Sequence, residues 1–229
     1  NVGTSAVRII DSDNEVVQVT SNALDVNIAG GATIDIGDVD MFLDGGGPLY
    51  KRLANVGRDM SDCGDHSSVE HASRQGLLND KLLAVHGNYL ADNDIRLLAE
   101  SGASVAHCPR SHDYFGHVPF RFEELRAVGV NVCLGTDSLA TVEEVDAELD
   151  MFAEMRMFRG KYPDVSPEVI TSMATVNGAR ALGWTREVGE ISTDACADLL
   201  AFLYSGPADS VYDGVIEHRG PVAVMVNGQ

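Results

Sequence analysis

Histidine and aspartate stand at the ends of three short apolar runs in the middle of this chain. The runs are Leu82–Val85 leading to His86, Ser104–Ala106 leading to His107, and Val130–Gly135 leading through Thr136 to Asp137. Imidazole and carboxylate are side chains that bind a divalent metal or move a proton near neutral pH. Each run has the length of a strand, and stretches that read as helices separate them. In a parallel α/β barrel the C-terminal ends of the strands face one common site. Three successive strands tipped with His, His and Asp would aim those side chains at one point, an active-site pattern.

The elements that must position them follow from periodicity and punctuation. Strand 82–86 leads to a helix at 92–101, with Asp92 as its N-cap candidate and Gly102 as its stop. Strand 104–107 leads to a loop and then to helix 121–128, stopped by Gly129. Strand 130–135 leads to a long helix from about Val142 to Phe158, with Val145, Leu149, Phe152 and Met155 at helical spacing. A further helix starts at Ser166-Pro167, an N-cap followed by proline at its favoured first position. Short helices are expected over Pro48–Ala54 and Ser67–Gln75, each followed by glycine, at Gly57 and Gly76. This alternation predicts parallel strands with right-handed crossovers.

Both ends of the chain have a β texture instead. Ala6–Ile10, Glu15–Val19 and Thr33–Ile36 precede the α/β middle, and Asp198–Leu203 and Val222–Val226 come after it. The expected organisation is a β-sandwich domain of residues 1–39 with 184–229, beside a barrel segment at 40–183.

Composition bounds the partners. A net charge of −19 over 229 residues argues against nucleic acid or an anionic membrane, since both need a basic surface. The acidic excess is spread along the chain and reads as solubility. Cys63, Cys108, Cys133 and Cys196 include no CxxC pair, and Cys108 and Cys133 sit in strand-like runs. Buried free thiols in a reducing cytosol are expected. With neither a run of ~20 apolar residues nor a signal peptide, the chain is expected to be soluble and cytoplasmic. A small-molecule substrate and a homo-oligomeric state are expected.

The segments His86–Leu90, His107–His112 and Leu134–Ser138 resemble the amidohydrolase superfamily. The resemblance is to its cytosine-deaminase-like and chlorohydrolase-like branch, with the S-adenosylhomocysteine and aminofutalosine deaminases. Thr175–Gly183, Gly189–Ile191 and Ala197–Leu200 resemble the family's usual ending, and the match covers about residues 41–229. It implies a (β/α)8 TIM-type barrel with a divalent metal, zinc first and iron or manganese as alternatives, at the C-terminal ends of the strands. It also implies that Asp137 ligates that metal and accepts a proton from the attacking water. His86 would polarise the substrate or stabilise the transition state. His107 would sit behind these groups, with Ser111 near the mouth.

The departures are as informative. The family opens its barrel with a His-x-His pair and later has a His-x-x-Glu-type element. The histidines here are His66, His71, His86, His107, His112, His117 and His218, and no two have a single residue between them. Thr33–Val39 resembles the strand before the first metal pair, and Met41–Gly45 resembles the segment after the fifth-strand glutamate. Strands one to five are therefore expected to be missing at one junction, near Val39–Met41. An eight-stranded barrel takes ~250 residues, which residues 41–183 cannot supply. Either a stretch of the natural chain is omitted, or the protein truly lacks it. The first is favoured, because a half-barrel would expose long strand edges.

Each candidate has a plainer reading. Asp137 could cap the next helix, and His86 and His107 could be satisfied core histidines. Arg110, His112, Tyr114 and His117 could lie in an exposed loop rather than line a substrate pocket. His66 and His71, five apart on a helix, are expected to diverge and lie at the surface. The expected chemistry is metal-dependent hydrolysis of a C–N bond, foremost deamination of an aromatic nitrogen heterocycle. Dechlorination by a chlorohydrolase of the same family is an alternative. A metal-free, non-catalytic relative is the reading if the chain is complete as written.

Overall fold

Glycines in left-handed conformations and polar helix caps divide the middle of this chain much as its sequence predicts. The structure, a computed structural model, describes residues 8–10, 16–18, 40–141, 148–219, 221 and 223–229. Among the described residues seven strands run in order: β1 Arg8–Ile10, β2 Val16–Gln18, β3 Leu83–Val85, β4 Ser104–His107, β5 Asn131–Leu134, β6 Leu199–Ala201 and β7 Ala223–Met225. The α-helices are α1 Gly47–Asn55, α2 Ser68–Arg74, α3 Asp92–Ser101, α4 Pro109–Phe115, α5 Phe122–Ala127, α6 Met151–Lys161, α7 Pro167–Ala174, α8 Val176–Ala181 and α9 Val211–Glu217. β3, β4 and β5 are neighbours in that order in a parallel sheet. The class is α/β, as expected. No helix among the described residues is long and apolar enough to cross a membrane.

The chain divides into two compact units, residues 1–105 with 118–130 and residues 106–117 with 131–229. β4 contributes its first two residues to the first unit and its last two to the second.

In the first unit, Ile95, Leu98, Val105, Phe122 and Leu125 are buried, and the main-chain N–H of Ser104 donates to Leu82 O at 3.0 Å. The Ser67 hydroxyl accepts from the Glu70 N–H, and the Glu70 carboxylate accepts from the Ser67 N–H, a capping box that starts α2. Ser67 also donates to buried Asp94. Asp94 in turn accepts the Ala91 N–H at 2.8 Å, so α3 is capped at Ala91, one residue earlier than expected.

His66 and His71 depart from the surface placement expected of them. Helix α2 begins after Ser67, so His66 precedes it and is not bound to helical spacing. Asp65 turns the chain at φ +95°, and the buried His66 ring stacks on His71 with centroids 5.3 Å apart. Their nitrogens Nε2 and Nδ1 are 3.1 Å apart.

In the second unit, Val132, Cys133, Leu134, Met155, Phe158, Ile170, Met173 and Ile216 are buried. The Asn131 amide donates to Asn177 O at 3.0 Å, and the Asn177 amide donates to Val132 O at 2.8 Å. This reciprocal pair pins α8 to β5 and gives the Thr175–Gly183 segment a structural role. The long helix expected from Val142 starts at Met151 with Asp150 as its cap. Residues 142–147 lie outside the described residues. Leu149 is exposed ahead of the helix, and the buried face is formed by Glu154, Met155 and Phe158.

At the two ends, β1 pairs with β2 and β6 with β7, each antiparallel in its own two-stranded sheet. The expected strand Thr33–Ile36 and the junction residue Val39 fall outside the described residues.

Candidate active site

Two of the sequence-predicted catalytic residues close strands through backbone that most residues avoid. His86 comes after β3 at φ +70°, ahead of Gly87 at φ +63° and Tyr89 at φ +58°. A Cβ on Gly87 would meet Val105 Cγ1 at 3.0 Å, so the sharp turn after His86 requires glycine. Asp137 comes after β5 at φ +54°. Asp and His enter this left-handed region more readily than most residues, yet each such position costs on the order of 1–3 kcal/mol and concentrates at functional sites.

In the second unit two carboxylates, Asp137 and Glu154, lie close enough to Cys108 to act on its thiol. The Ser111 hydroxyl, wholly buried, donates to Asp137 Oδ2 at 2.6 Å. The Gly135 N–H donates to His107 O at 2.9 Å, which fixes the end of β5 beside the end of β4. Gly135 has little room for a side chain, because a Cβ there would meet Cys108 Sγ at 3.1 Å. Burial, with the charges of Asp137 and Glu154, drives the Cys108 thiol far above its usual range, so it stays protonated and inert. Burial pushes Cys133 up to about 11. The expected buried free thiols are present at Cys108 and Cys133.

The segment expected as a loop after His107 is helical. Pro109 occupies the first turn of α4, and Gly116 ends it at φ +64°. Both are ordinary helix signals, outweighed in the sequence by the polar residues between them. Arg110, Ser111, His112 and Tyr114 therefore sit on a helix, and His117 comes just after it. The rings of His107 and His112 lie 5.1 Å apart and those of His112 and His117 5.3 Å apart, so these three histidines form one cluster. Phe158 packs edge-on against His107 at 6.0 Å. Tyr114 stacks edge-on with Phe115 and is exposed.

Arg110 is drawn into the protein. Its guanidinium donates to Glu148 O at 3.0 Å and lies 3.8 Å from Glu154 Oε1. Sequence reasoning missed Glu154, a fully buried carboxylate on α6. Its Oε2 accepts the Arg110 main-chain N–H at 2.9 Å. Burial pushes the Glu154 carboxyl up to about 7, against the opposing pull of the Arg110 N–H and charge. A signal existed: Glu154 and Phe158 are four residues apart and share a helix face. Beside this cluster lies a cleft of about 880 Å³, lined by Arg110, Glu148, Asp150, Arg156 and Lys161 among others. Arg156 there is spent on the carbonyls of Ile216 and His218.

Residues 53–229 match the amidohydrolase family, and the chain belongs to it. It is 39% identical over 140 residues to the 5-methylthioadenosine/S-adenosylhomocysteine deaminase of Pyrococcus abyssi, covering 58% of this chain and 32% of that protein. It is 34% identical over 171 residues to the 5'-deoxyadenosine deaminase of Methanoregula boonei, covering 71% and 38%. Among solved structures, an adenosine deaminase from Xanthomonas campestris with bound zinc aligns with a TM-score of 0.64 at 29% identity. That alignment covers 79% of this chain and 42% of that one. A triazine hydrolase at 21% identity and a TM-score of 0.63, covering 74% and 40%, shares the fold. The chain spans about a third of the length of the curated relatives it matches. The resemblance read from the sequence is borne out, and with it a TIM-type α/β fold class.

The metal that the family implies needs more ligands than these residues offer. A catalytic zinc takes three protein ligands. Among the described residues, no three His, Cys, Asp or Glu side chains are grouped to hold a metal ion. Asp137 is a suitable single donor, but the described residues do not fit the metal by themselves.

Proposed function

We propose that this chain carries the proton-transferring carboxylate of a deaminase that hydrolyses the exocyclic C–N bond of an adenine-like heterocycle. The observation that carries the reading is Asp137, held by Ser111 at 2.6 Å on left-handed backbone at the end of β5. It lies within the segment that matches the amidohydrolase family. Two of its relatives are named as deaminases of adenosine-like compounds.

In this reading a water attacks the ring carbon that bears the amino group, and Asp137 accepts its proton. A new C–O bond forms, and the ring electrons move onto the adjacent nitrogen. Asp137 then returns the proton to the amino nitrogen, and the ring-nitrogen electrons re-form the C=N bond as the C–N bond breaks and ammonia leaves. Transfer of the remaining hydroxyl proton to the ring nitrogen gives the oxo heterocycle. A proton acceptor placed in this way contributes about 10²–10⁴-fold. His86 is assigned to the oxygen that develops charge, and His107 to support behind the site. Arg110, His112, Tyr114 and His117 are assigned to substrate selection. The contacts of Arg110 with Glu148 and Glu154 make it the weakest of these four. The substrate is a small molecule, and the role of metal ligand is assigned to Asp137.

We also assign residues 1–39 and 184–229 to one β domain. Leu199, Leu200, Val224 and Val226 in and beside the antiparallel β6–β7 pair are exposed, as strands are that await further β structure.

A second reading, a metal-free binding relative, draws on the absence of a three-ligand group among the described residues. Ammonia release from adenosine, 5'-deoxyadenosine and S-adenosylhomocysteine by the full-length protein, with zinc content measured on the same sample, separates the two. Turnover with bound metal supports the deaminase. A folded protein with neither supports the binding relative.

A further inference from the structure

Glu154 is an expensive residue in its position. Taking a carboxylate out of water is strongly unfavourable, and its neighbours on the buried face of α6, Met155 and Phe158, are apolar. Leucine or methionine would fill the space without that cost. What the carboxylate does have is one main-chain contact, Oε2 with the Arg110 N–H at 2.9 Å, reaching across 44 positions of sequence. Helix α4 needs that contact, since its own cap residue Cys108 makes no side-chain capping bond. The residue after Arg110 is Ser111, whose hydroxyl holds Asp137 at 2.6 Å. One helical turn thus carries two consecutive grips, the first on Glu154 and the second on Asp137. Phe158, one turn along α6 from Glu154, packs against His107.

We infer that Glu154 is a positioning residue for the reaction. By capping the first turn of α4 it sets where the Ser111 hydroxyl stands, and so how the Asp137 carboxylate is aimed. The inference deepens the proposed function and rests on its reading of Asp137. Glu154 touches no reacting atom in this account. Its effect on Asp137 passes through Arg110 N–H and Ser111, while its other oxygen, Oε1, lies 3.8 Å from the Arg110 guanidinium.

The test compares Glu154→Gln, Glu154→Asp, Glu154→Met, Ser111→Ala and the Glu154→Met/Ser111→Ala double variant in the full-length protein. Turnover of 5'-deoxyadenosine is read together with deuterium exchange of the main-chain amides over residues 109–115. Gln keeps an acceptor at the same reach, and kcat should stay within about threefold of wild type. Asp withdraws the acceptor by one methylene and Met removes it. In both, kcat should fall at least about tenfold with KM little changed, since a displacement of ~1 Å at a reacting centre can cost 10²-fold. Exchange over 109–115 should quicken in Asp and Met and stay slow in Gln. The double variant should be no worse than the more damaged single variant, as coupled positions require. Additive losses, Gln as damaging as Met, or slow exchange in every variant would each overturn the inference. Should Glu154→Met fail to fold, the contrast of Gln with Asp decides alone. A wild-type protein without turnover would instead count against the reading of Asp137, and the exchange pattern would still decide the Glu154 contact.

Discussion

The Ser111 hydroxyl donates to Asp137 Oδ2 at 2.6 Å, joining the helix after β4 to the turn after β5. Serine offers one O–H, and giving it to this oxygen leaves the carboxylate oriented rather than free to rotate. Both residues belong to segments that resemble amidohydrolase motifs in the sequence. The contact is the point at which that resemblance acquires a geometry.

Removing the hydroxyl should therefore be felt in turnover. A hydrogen bond to a charged group is worth about 1.5–3 kcal/mol, so Ser111→Ala should lower kcat/KM at least about tenfold. The melting temperature should change little, because the cavity left is that of a single oxygen. Steady-state kinetics with parallel thermal melts check this. An unchanged kcat/KM would mean that the bond does not serve Asp137 in catalysis.

Gly135 is predicted to be irreplaceable for a local reason. Its missing Cβ would stand 3.1 Å from Cys108 Sγ. Gly135→Ala should destabilise by about 1–3 kcal/mol through overpacking, and Cys108→Ala in the same chain should recover much of that loss. Urea denaturation of the two single variants and the double variant gives the coupling. Purely additive losses would show that the thiol is not what the methyl meets.

Glu154 makes a pH prediction. Its carboxyl is raised to about 7, mainly by burial, whereas an unfolded glutamate ionises near 4.3. Between these values the folded state holds the proton and the unfolded state has lost it, so stability falls as pH rises and the loss is complete above about 7. Glutamine does not titrate. The melting temperature of Glu154→Gln minus that of wild type should therefore grow from pH 5 to pH 8, by roughly 2–8 °C. A pH-independent difference would show that Glu154 is not protonated in the fold at pH 5.

How much of this was legible depended on the kind of signal. The runs 104–107 and 130–135 are apolar, short and bounded by turn residues, and β4 and β5 fall within them. Gly102 stops α3 as glycines ordinarily do, and the helix expected from Ser67 starts one residue later, with Ser67 as its cap. Helix α4 is faint in the sequence because its signals are only the proline and glycine at its ends, while His112, Asp113 and Tyr114 read as loop. His66 and His71 do not follow helical spacing because a helix starts between them. Glu154 is hidden in the sequence because charge reads as solvent-facing, and only the tertiary contact with Arg110 N–H gives its carboxylate a partner inside. Asp137 is legible as a candidate because a carboxylate at a strand end combines a residue type with a place. Its partner Ser111 was placed only in outline, since a hydrogen bond between residues 26 positions apart leaves no periodic mark.

The most direct test of the central claim is ammonia release from 5'-deoxyadenosine by the full-length protein and its Asp137→Asn variant. The amide keeps the size of the carboxylate and can still accept the Ser111 hydrogen bond, but it cannot take a proton from water. The wild-type protein should release ammonia, and Asp137→Asn should lose at least about 10²-fold in turnover with its melting temperature nearly unchanged. Full turnover in Asp137→Asn would contradict the account.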